Sequence, residues 1–164
     1  MVSGFDNGTF GAGKITTRSQ AAKMVSRALG IADSDTTSTS FTDLGPADDD
    51  LFPQKYVAAL SSVGAVQGTR PGQFSPYAPV TRAQILTMMV RALRTLDPGA
   101  LTKPPSGFVA TVDAFSPTFD ESMAIAQYDG LLAGLAGYGP GWNPWAPASR
   151  GEAAQMLSNL AQLE

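Results

Sequence analysis

A four-residue block occurs three times in this chain, as Thr17-Arg18-Ser19-Gln20, Thr81-Arg82-Ala83-Gln84 and Ser149-Arg150-Gly151-Glu152, so the fold has to give three stretches equivalent surroundings. The arginines lie 64 and 68 residues apart. Eight residues before each stands an aromatic (Phe10, Phe74, Trp142), and six after each stands a methionine (Met24, Met88, Met156). Gly4 and Gly8 match Gly68 and Gly72 in the same frame. After each arginine the apolar residues fall three, four, seven, ten and eleven positions on, which is one face of a helix. They are Ala21, Ala22, Val25, Ala28 and Leu29; then Ile85, Leu86, Met89, Ala92 and Leu93; then Ala153, Ala154, Leu157, Leu160 and Ala161. Three helices with one apolar stripe each bury those stripes by packing around a common axis. The expectation is an all-α, pseudo-threefold fold with a central three-helix bundle.

Two further helices are expected outside that bundle, over residues 52–63 and 120–132, closing at Gly64 and Gly134. Asp48, Asp49 and Asp50 ahead of Pro53 read as a helix start, with acids at the favourable end of the dipole and proline in the first turn. The loops joining outer to inner helices are rich in Gly, Pro and aromatics, whereas residues 33–40 and 97–107 read as linkers between copies. No segment alternates long enough for a strand; the FVATV run at 108–112 is too short to decide. The copies are placed at 1–32 (a second half only), 41–95 and 108–164, together one compact domain with five helices where three complete copies would have six.

With no cysteine and no histidine, disulfides, Cys/His zinc sites, thiol nucleophiles and Ser-His-Asp triads are excluded by counting. Neither a metal nor a cofactor is expected. A net charge of −3 disfavours non-specific binding to nucleic acid or an acidic membrane, so an anion would need a local basic cluster. No apolar run is long enough to span a bilayer, and the first 15 residues have neither the basic start nor the apolar stretch of a secretory leader. Because the chain is Ser/Thr/Gly-rich, cysteine-free and lightly charged, it is expected to be a piece of a longer extracellular protein.

Ser/Thr-x-x-Glu/Gln ahead of an apolar run is a capping box, which accounts for Thr17 with Gln20, Thr81 with Gln84 and Ser149 with Glu152. The arginines need another explanation. A cation in the first turn opposes the helix dipole at about 0.3–1 kcal/mol each, so a compensating partner is expected. One option is an acid from a neighbouring copy, such as Asp6, Asp43 or Asp113. The other is an anionic ligand held by the guanidinium and free helix amides. Phe10, Phe74 and Trp142 are read as plugs seating the loops on the bundle, while Tyr77 and Trp145, five residues before an arginine, are candidate platforms for a sugar ring.

Residues 41–93, from FTDL through the first helix and its glycine to GTRPGQFSPYAPVTRAQILTMMVRAL, resemble the S-layer homology module in its FxD start, G-x-x-x-G-x-F loop and T-R-A-E-type helix start. The third copy, through GLLAGL and WNPWAPASRGEAAQML, is similar mainly in its second half, and the first only there. The resemblance implies three tandem modules, the first truncated, forming a non-catalytic anchor at the bacterial cell surface. It also implies a ligand, the anionic and often pyruvylated secondary cell-wall polysaccharide, met by Arg18, Arg82 and Arg150 in grooves between modules, with Asp43 carried over from the FxD start. Gln20 and Gln84 depart from the usual glutamate, Gly151 from alanine, and Phe52 stands where a tryptophan is usual. With one outer helix absent, fewer than three grooves are expected to be competent. The uncovered apolar face is expected to recruit a helix from a second copy, a helix from a partner, or the 97–107 linker. Two alternatives stand beside the anchor: an assembly module whose arginines make ion pairs between repeats, and, with least support, a carboxylate-pair glycosidase, since no acids form a repeated constellation.

Overall fold

The structure, a computed structural model, describes residues 4, 8–31, 38–46, 51–112 and 117–163. Asp6, Asp48, Asp49, Asp50 and Asp113 lie outside the described residues, as do residues 33–37 of the first linker.

Five helices form: α1 (Arg18–Ala28), α2 (Gln54–Ser62), α3 (Arg82–Leu96), α4 (Pro117–Tyr128) and α5 (Arg150–Leu160). The inner helices α1, α3 and α5 begin at the three motif arginines, and each is started by the expected capping box, with the Thr or Ser hydroxyl accepting from the amide three residues on and the Gln or Glu side chain accepting from the cap's own amide. These three helices touch one another pairwise, so the apolar stripes meet on one axis. In α3 the stripe of Ile85, Leu86, Met89, Ala92 and Leu93 is entirely buried. Met24, Met88 and Met156 are buried too, which explains their shared place in the repeat.

The outer helices differ in detail from the sequence expectation. α2 has no side-chain cap, its N-cap being Pro53, and it ends as expected at Gly64, whose φ of 67° suits glycine. α4 occupies 117–128 instead of 120–132 and stops at Gly130 (φ 75°), not Gly134. Leu131 and Leu132 prolong the apolar pattern but lie in the following turn, packed into the core. α2 lies against α1, and α4 against α3. The 108–112 run forms no strand, and the only ladder-like pairings among the described residues are isolated bridges.

Those bridges close the fold at its axis. Thr16 donates its amide to Ala148 O (2.9 Å), Ala148 to Val80 O (2.9 Å) and Val80 to Thr16 O (3.0 Å), a ring of three hydrogen bonds made by residues two before each arginine. All three residues are fully buried, so each amide would otherwise be an unpaired polar group in the core. Three chain segments far apart in sequence are thus tied together where the inner helices start.

Candidate functional site

The same cyclic order places the arginines. At the start of α1, the amides of Arg18 and Ser19 donate to Ala78 O (3.0 Å) and Pro76 O (2.9 Å) of the loop before α3. Arg82 and Ala83 donate to Ala146 O (3.1 Å) and Pro144 O (2.9 Å) of the loop before α5, and Arg150 and Gly151 to Lys14 O (2.8 Å) and Ala12 O (2.9 Å) of the loop before α1. With the third amide of each helix on its capping hydroxyl, the first turns present no bare donors, and the expectation that they do is overturned. Backbone carbonyls of the next copy have taken the place proposed for an outside anion. The approach also explains Gly151: a Cβ there would stand 3.2 Å from Ala12 O and 3.3 Å from Ala12 Cβ.

Each guanidinium reaches in the same direction and lies over the aromatic of the next copy: Arg18 over Phe74 (4.6 Å to the ring centre), Arg82 over Trp142 (5.0 Å) and Arg150 over Phe10 (5.2 Å). These aromatics therefore do more than plug loops; they are the faces on which the arginines rest. Arg18 Nε donates to Phe74 O (2.8 Å) and its Nη2 to Gln67 O (3.0 Å), and Arg150 Nε donates to Phe10 O (3.1 Å). Arg82 differs. Its Nη1 donates to Asn143 O (2.9 Å), and its Nη2 forms a 2.6 Å ion pair with Glu152, the capping acid of the third copy. Glu152, which the sequence pattern marks only as a capping residue, both caps α5 and pairs with Arg82.

Gln84 holds the corresponding place in the second copy, so no such carboxylate meets Arg18. Arg18 is 96% buried, yet it borders a hollow of about 220 Å³ whose walls come from all three copies: the 65–69 loop, Gln84, Thr87, Met88 and Arg91 of α3, and Thr118 and Phe119 of α4. Two guanidinium groups and, among the described residues, no carboxylate line it. Arg91, which sequence reasoning missed, stands nine residues after Arg82 and donates from Nη2 to Thr118 O (3.0 Å). Its signal was present in the repeat, since Arg27 stands nine after Arg18, while Asn159 fills that place in the third copy. There Asn159 donates to Leu131 O and Ala133 O, tying the loop down.

Burial lowers the Arg18 pKa, partly offset by the charge of Asp43, and the group remains a cation at any physiological pH. Asp43 is placed by its loop, accepting from the amides of Phe74 and Ser75 (both 2.8 Å). Desolvation works against its charged form, but those two amides and Arg18 outweigh it and hold the carboxyl below its ordinary range. A depressed carboxylate contributes stability above its unfolded-state value of about 4 and loses that contribution as pH falls through the folded-state value. Asp43→Asn is therefore expected to melt below wild type at pH 7, with the two curves converging as the solution is acidified below pH 4; a gap that persists at pH 2.5 would mean the carboxylate charge is not what holds the loop.

Tyr77 is 65% exposed and borders none of these walls. Trp145 is 41% exposed, meets Phe119 edge-on at 5.1 Å, and so stands beside the Arg18 hollow; it also borders a second hollow of about 320 Å³ with Thr111, Gly139, Gly141, Trp142, Asn143 and Pro144. No group of acids suited to a metal is found among the described residues, and no helix among them is long and apolar enough to cross a membrane.

Comparison with known proteins agrees with this architecture. The S-layer homology domain model matches residues 40–86, the stretch that supplies the Phe74 loop, Asp43 and the start of α3. S-layer protein EA1 of Bacillus anthracis is 27% identical over 158 residues, covering 96% of this chain and 17% of that protein. An uncharacterised cell wall amidase of the same organism is 26% identical over 158 residues, covering 96% of this chain and 28% of that protein. A surface layer protein of Brevibacillus choshinensis is 35% identical over 96 residues, covering 57% of this chain and 8% of that protein. The chain thus spans less than a third of the length of each of these relatives. The FxD start, glycine loop and arginine-led helix all fall within residues 40–86, which match the S-layer homology domain, and nearly the whole chain is similar to S-layer proteins.

Proposed function

We propose that this chain is a non-catalytic module that anchors a protein to the bacterial cell surface by binding an anionic cell-wall polysaccharide, and that the hollow beside Arg18 receives the anionic group. The match of residues 40–86 to the S-layer homology domain and the similarity to S-layer proteins support a surface-anchoring role in the cell envelope; the polysaccharide and the role of the arginines are our reading. The observation that carries it is the charge of that hollow: in a chain of net charge −3, two arginines and, among the described residues, no acid line a space of about 220 Å³. A carboxylate or phosphate entering there meets Arg91 at the rim and Arg18 behind it, with the Phe119 ring and neighbouring Trp145 offering flat apolar surface to a sugar. The groove at Arg82 is read as closed to anions, because Glu152 already neutralises that arginine. The Arg82–Glu152 pair also favours a second reading, in which the arginines join repeats in an assembly module without sugar binding.

Titration calorimetry with purified anionic wall polysaccharide separates the two. Arg91→Gln is expected to weaken binding about tenfold, the worth of one charge-assisted hydrogen bond, while Arg94→Gln, which removes an exposed pair with Glu121, leaves it unchanged. Absence of binding by wild type, or equal binding by both variants, would favour the assembly reading.

A further inference from the structure

We infer that the hollow lined by Trp142 and Trp145 is a second subsite, taking an uncharged sugar ring of the polysaccharide whose anionic group enters beside Arg18; the inference rests on that reading of the Arg18 hollow. The chain has two tryptophans, and both line this space of about 320 Å³. No ionisable side chain lines it among the described residues, in contrast to the two guanidinium groups of the other hollow. A space walled by aromatic rings and uncharged polar groups takes a neutral ligand with an apolar face and hydroxyls at its edge. At the positions of Trp142, Asn143 and Trp145 the second copy has Phe74, Ser75 and Tyr77 and the first has Phe10, Gly11 and Gly13, so the feature belongs to the third copy alone.

The walls are fixed before a ligand arrives. Trp142 is buried, with Arg82 over its ring and Tyr138 edge-on against it at 5.7 Å. Trp145 is held at its amide, which donates to Asn143 Oδ1 (2.9 Å), and at its ring, which meets Phe119. That ring is nonetheless exposed, an indole surface left to water in a chain that buries its other tryptophan. Two donors in the same walls stand unpaired: Asn143, whose Oδ1 is taken, keeps Nδ2 without a partner among the described residues, and the indole N–H of Trp142 has none there either. Sugar hydroxyls accept as well as donate, so one ring stacked on Trp145 supplies both an apolar face and the oxygens these groups lack. At Gly139 and Gly141 an added Cβ would meet nothing within 4 Å, so the rim there is open. The two hollows are continuous through a pair of rings, since Phe119 lines the first, Trp145 the second, and the rings stand 5.1 Å apart. A polymer with its acidic group at Arg18 runs over Phe119 onto Trp145, which favours a sugar of that same polymer over an unrelated peptide as the occupant.

Because both tryptophans line the hollow, intrinsic fluorescence of the whole chain reports its occupancy. The probes are purified anionic wall polysaccharide and the same polymer stripped of its acidic groups. Wild type is expected to show a saturable fluorescence change with both, the stripped polymer binding about tenfold more weakly. Arg91→Gln is expected to bind the stripped polymer as wild type does, whereas Trp145→Ala weakens both polymers about fivefold. Thr111→Leu keeps both fluorophores and the packing of Trp145 on Phe119, and by narrowing the hollow from its exposed rim it is expected to weaken both polymers as well. If the stripped polymer leaves the fluorescence unchanged while the native polymer binds, or if neither variant weakens the native polymer, the second subsite is overturned and the Arg18 reading stands; if wild type binds neither polymer, both fall. A proline-rich peptide that displaces the stripped polymer at lower concentration would also overturn it, since the hollow would then be a peptide groove.

Discussion

Arg18→Ala is expected to destabilise the protein by about 3 kcal/mol and to lower its melting temperature by roughly 6–12 °C. The side chain lies over Phe74 and fills two backbone acceptors, Phe74 O and Gln67 O, in a region where Phe74 is fully buried. Truncation leaves the buried Phe74 carbonyl unpaired at about 1–3 kcal/mol, while the carbonyl of exposed Gln67 turns to water, and it removes a cation–π contact worth about 1–2 kcal/mol. Part of this is returned, since burial already disfavours the guanidinium charge, as its lowered pKa records. Arg18→Lys is expected to recover less than half of the loss, because a single ammonium cannot serve two carbonyls while lying flat on a ring. A melting temperature within 2 °C of wild type for Arg18→Ala would show that the arginine is held for a ligand and not for the fold. For the same reason, lost polysaccharide binding in this variant is informative only below its own melting transition, which is why Arg91 at the rim is the cleaner probe of the hollow.

Much of the scaffold could be read without coordinates because its signals are local and repeated. A capping box followed by a 3.6-period stripe needs only a dozen residues, and all three inner helices start at the expected arginine. The end of α4 was misplaced because Leu131 and Leu132 continue the apolar pattern past Gly130, and periodicity does not distinguish a buried turn from another turn of helix. The arginines show a deeper limit. Their cost at a helix start is visible in sequence, but the groups that offset it are main-chain carbonyls up to 140 residues away, such as Phe10 O for Arg150, and a carbonyl leaves no mark on residue type. The aromatic eight residues before each arginine did leave a mark, since two positions constant across the same repeats turn out to face each other between copies. Arg91 was legible as the second basic residue nine places after a motif arginine, yet its meaning depends on α4, whose Thr118 it holds.

Gly68→Ala is expected to cost about 3 kcal/mol, some three times the effect of Gly72→Ala, although both glycines belong to the same G-x-x-x-G-x-F loop. The two fail for different physical reasons. Gly72 has φ 71°, and its added Cβ would have nothing nearer than Ser40 O at 3.9 Å, so alanine there pays only for the left-handed backbone, about 1 kcal/mol. At Gly68 the added carbon would stand 2.5 Å from Gln73 O, 2.7 Å from Arg70 O and 2.9 Å from Phe41 Cε1. A ring can swing away, but the two oxygens belong to a turn closed by Gln73 N on Arg70 O (3.0 Å) and Thr69 N on Gln73 O (2.8 Å). Relieving the clash means opening that turn, and the residue before Gly68 is Gln67, whose carbonyl receives Arg18. The damage therefore passes to the arginine. In a double-mutant cycle Gly68→Ala and Arg18→Ala are expected to sum to less than their separate costs by about 1 kcal/mol, because the first already loosens what the second removes. Full additivity in thermal melts would separate the glycine loop from the arginine, and the loop would then be only a turn.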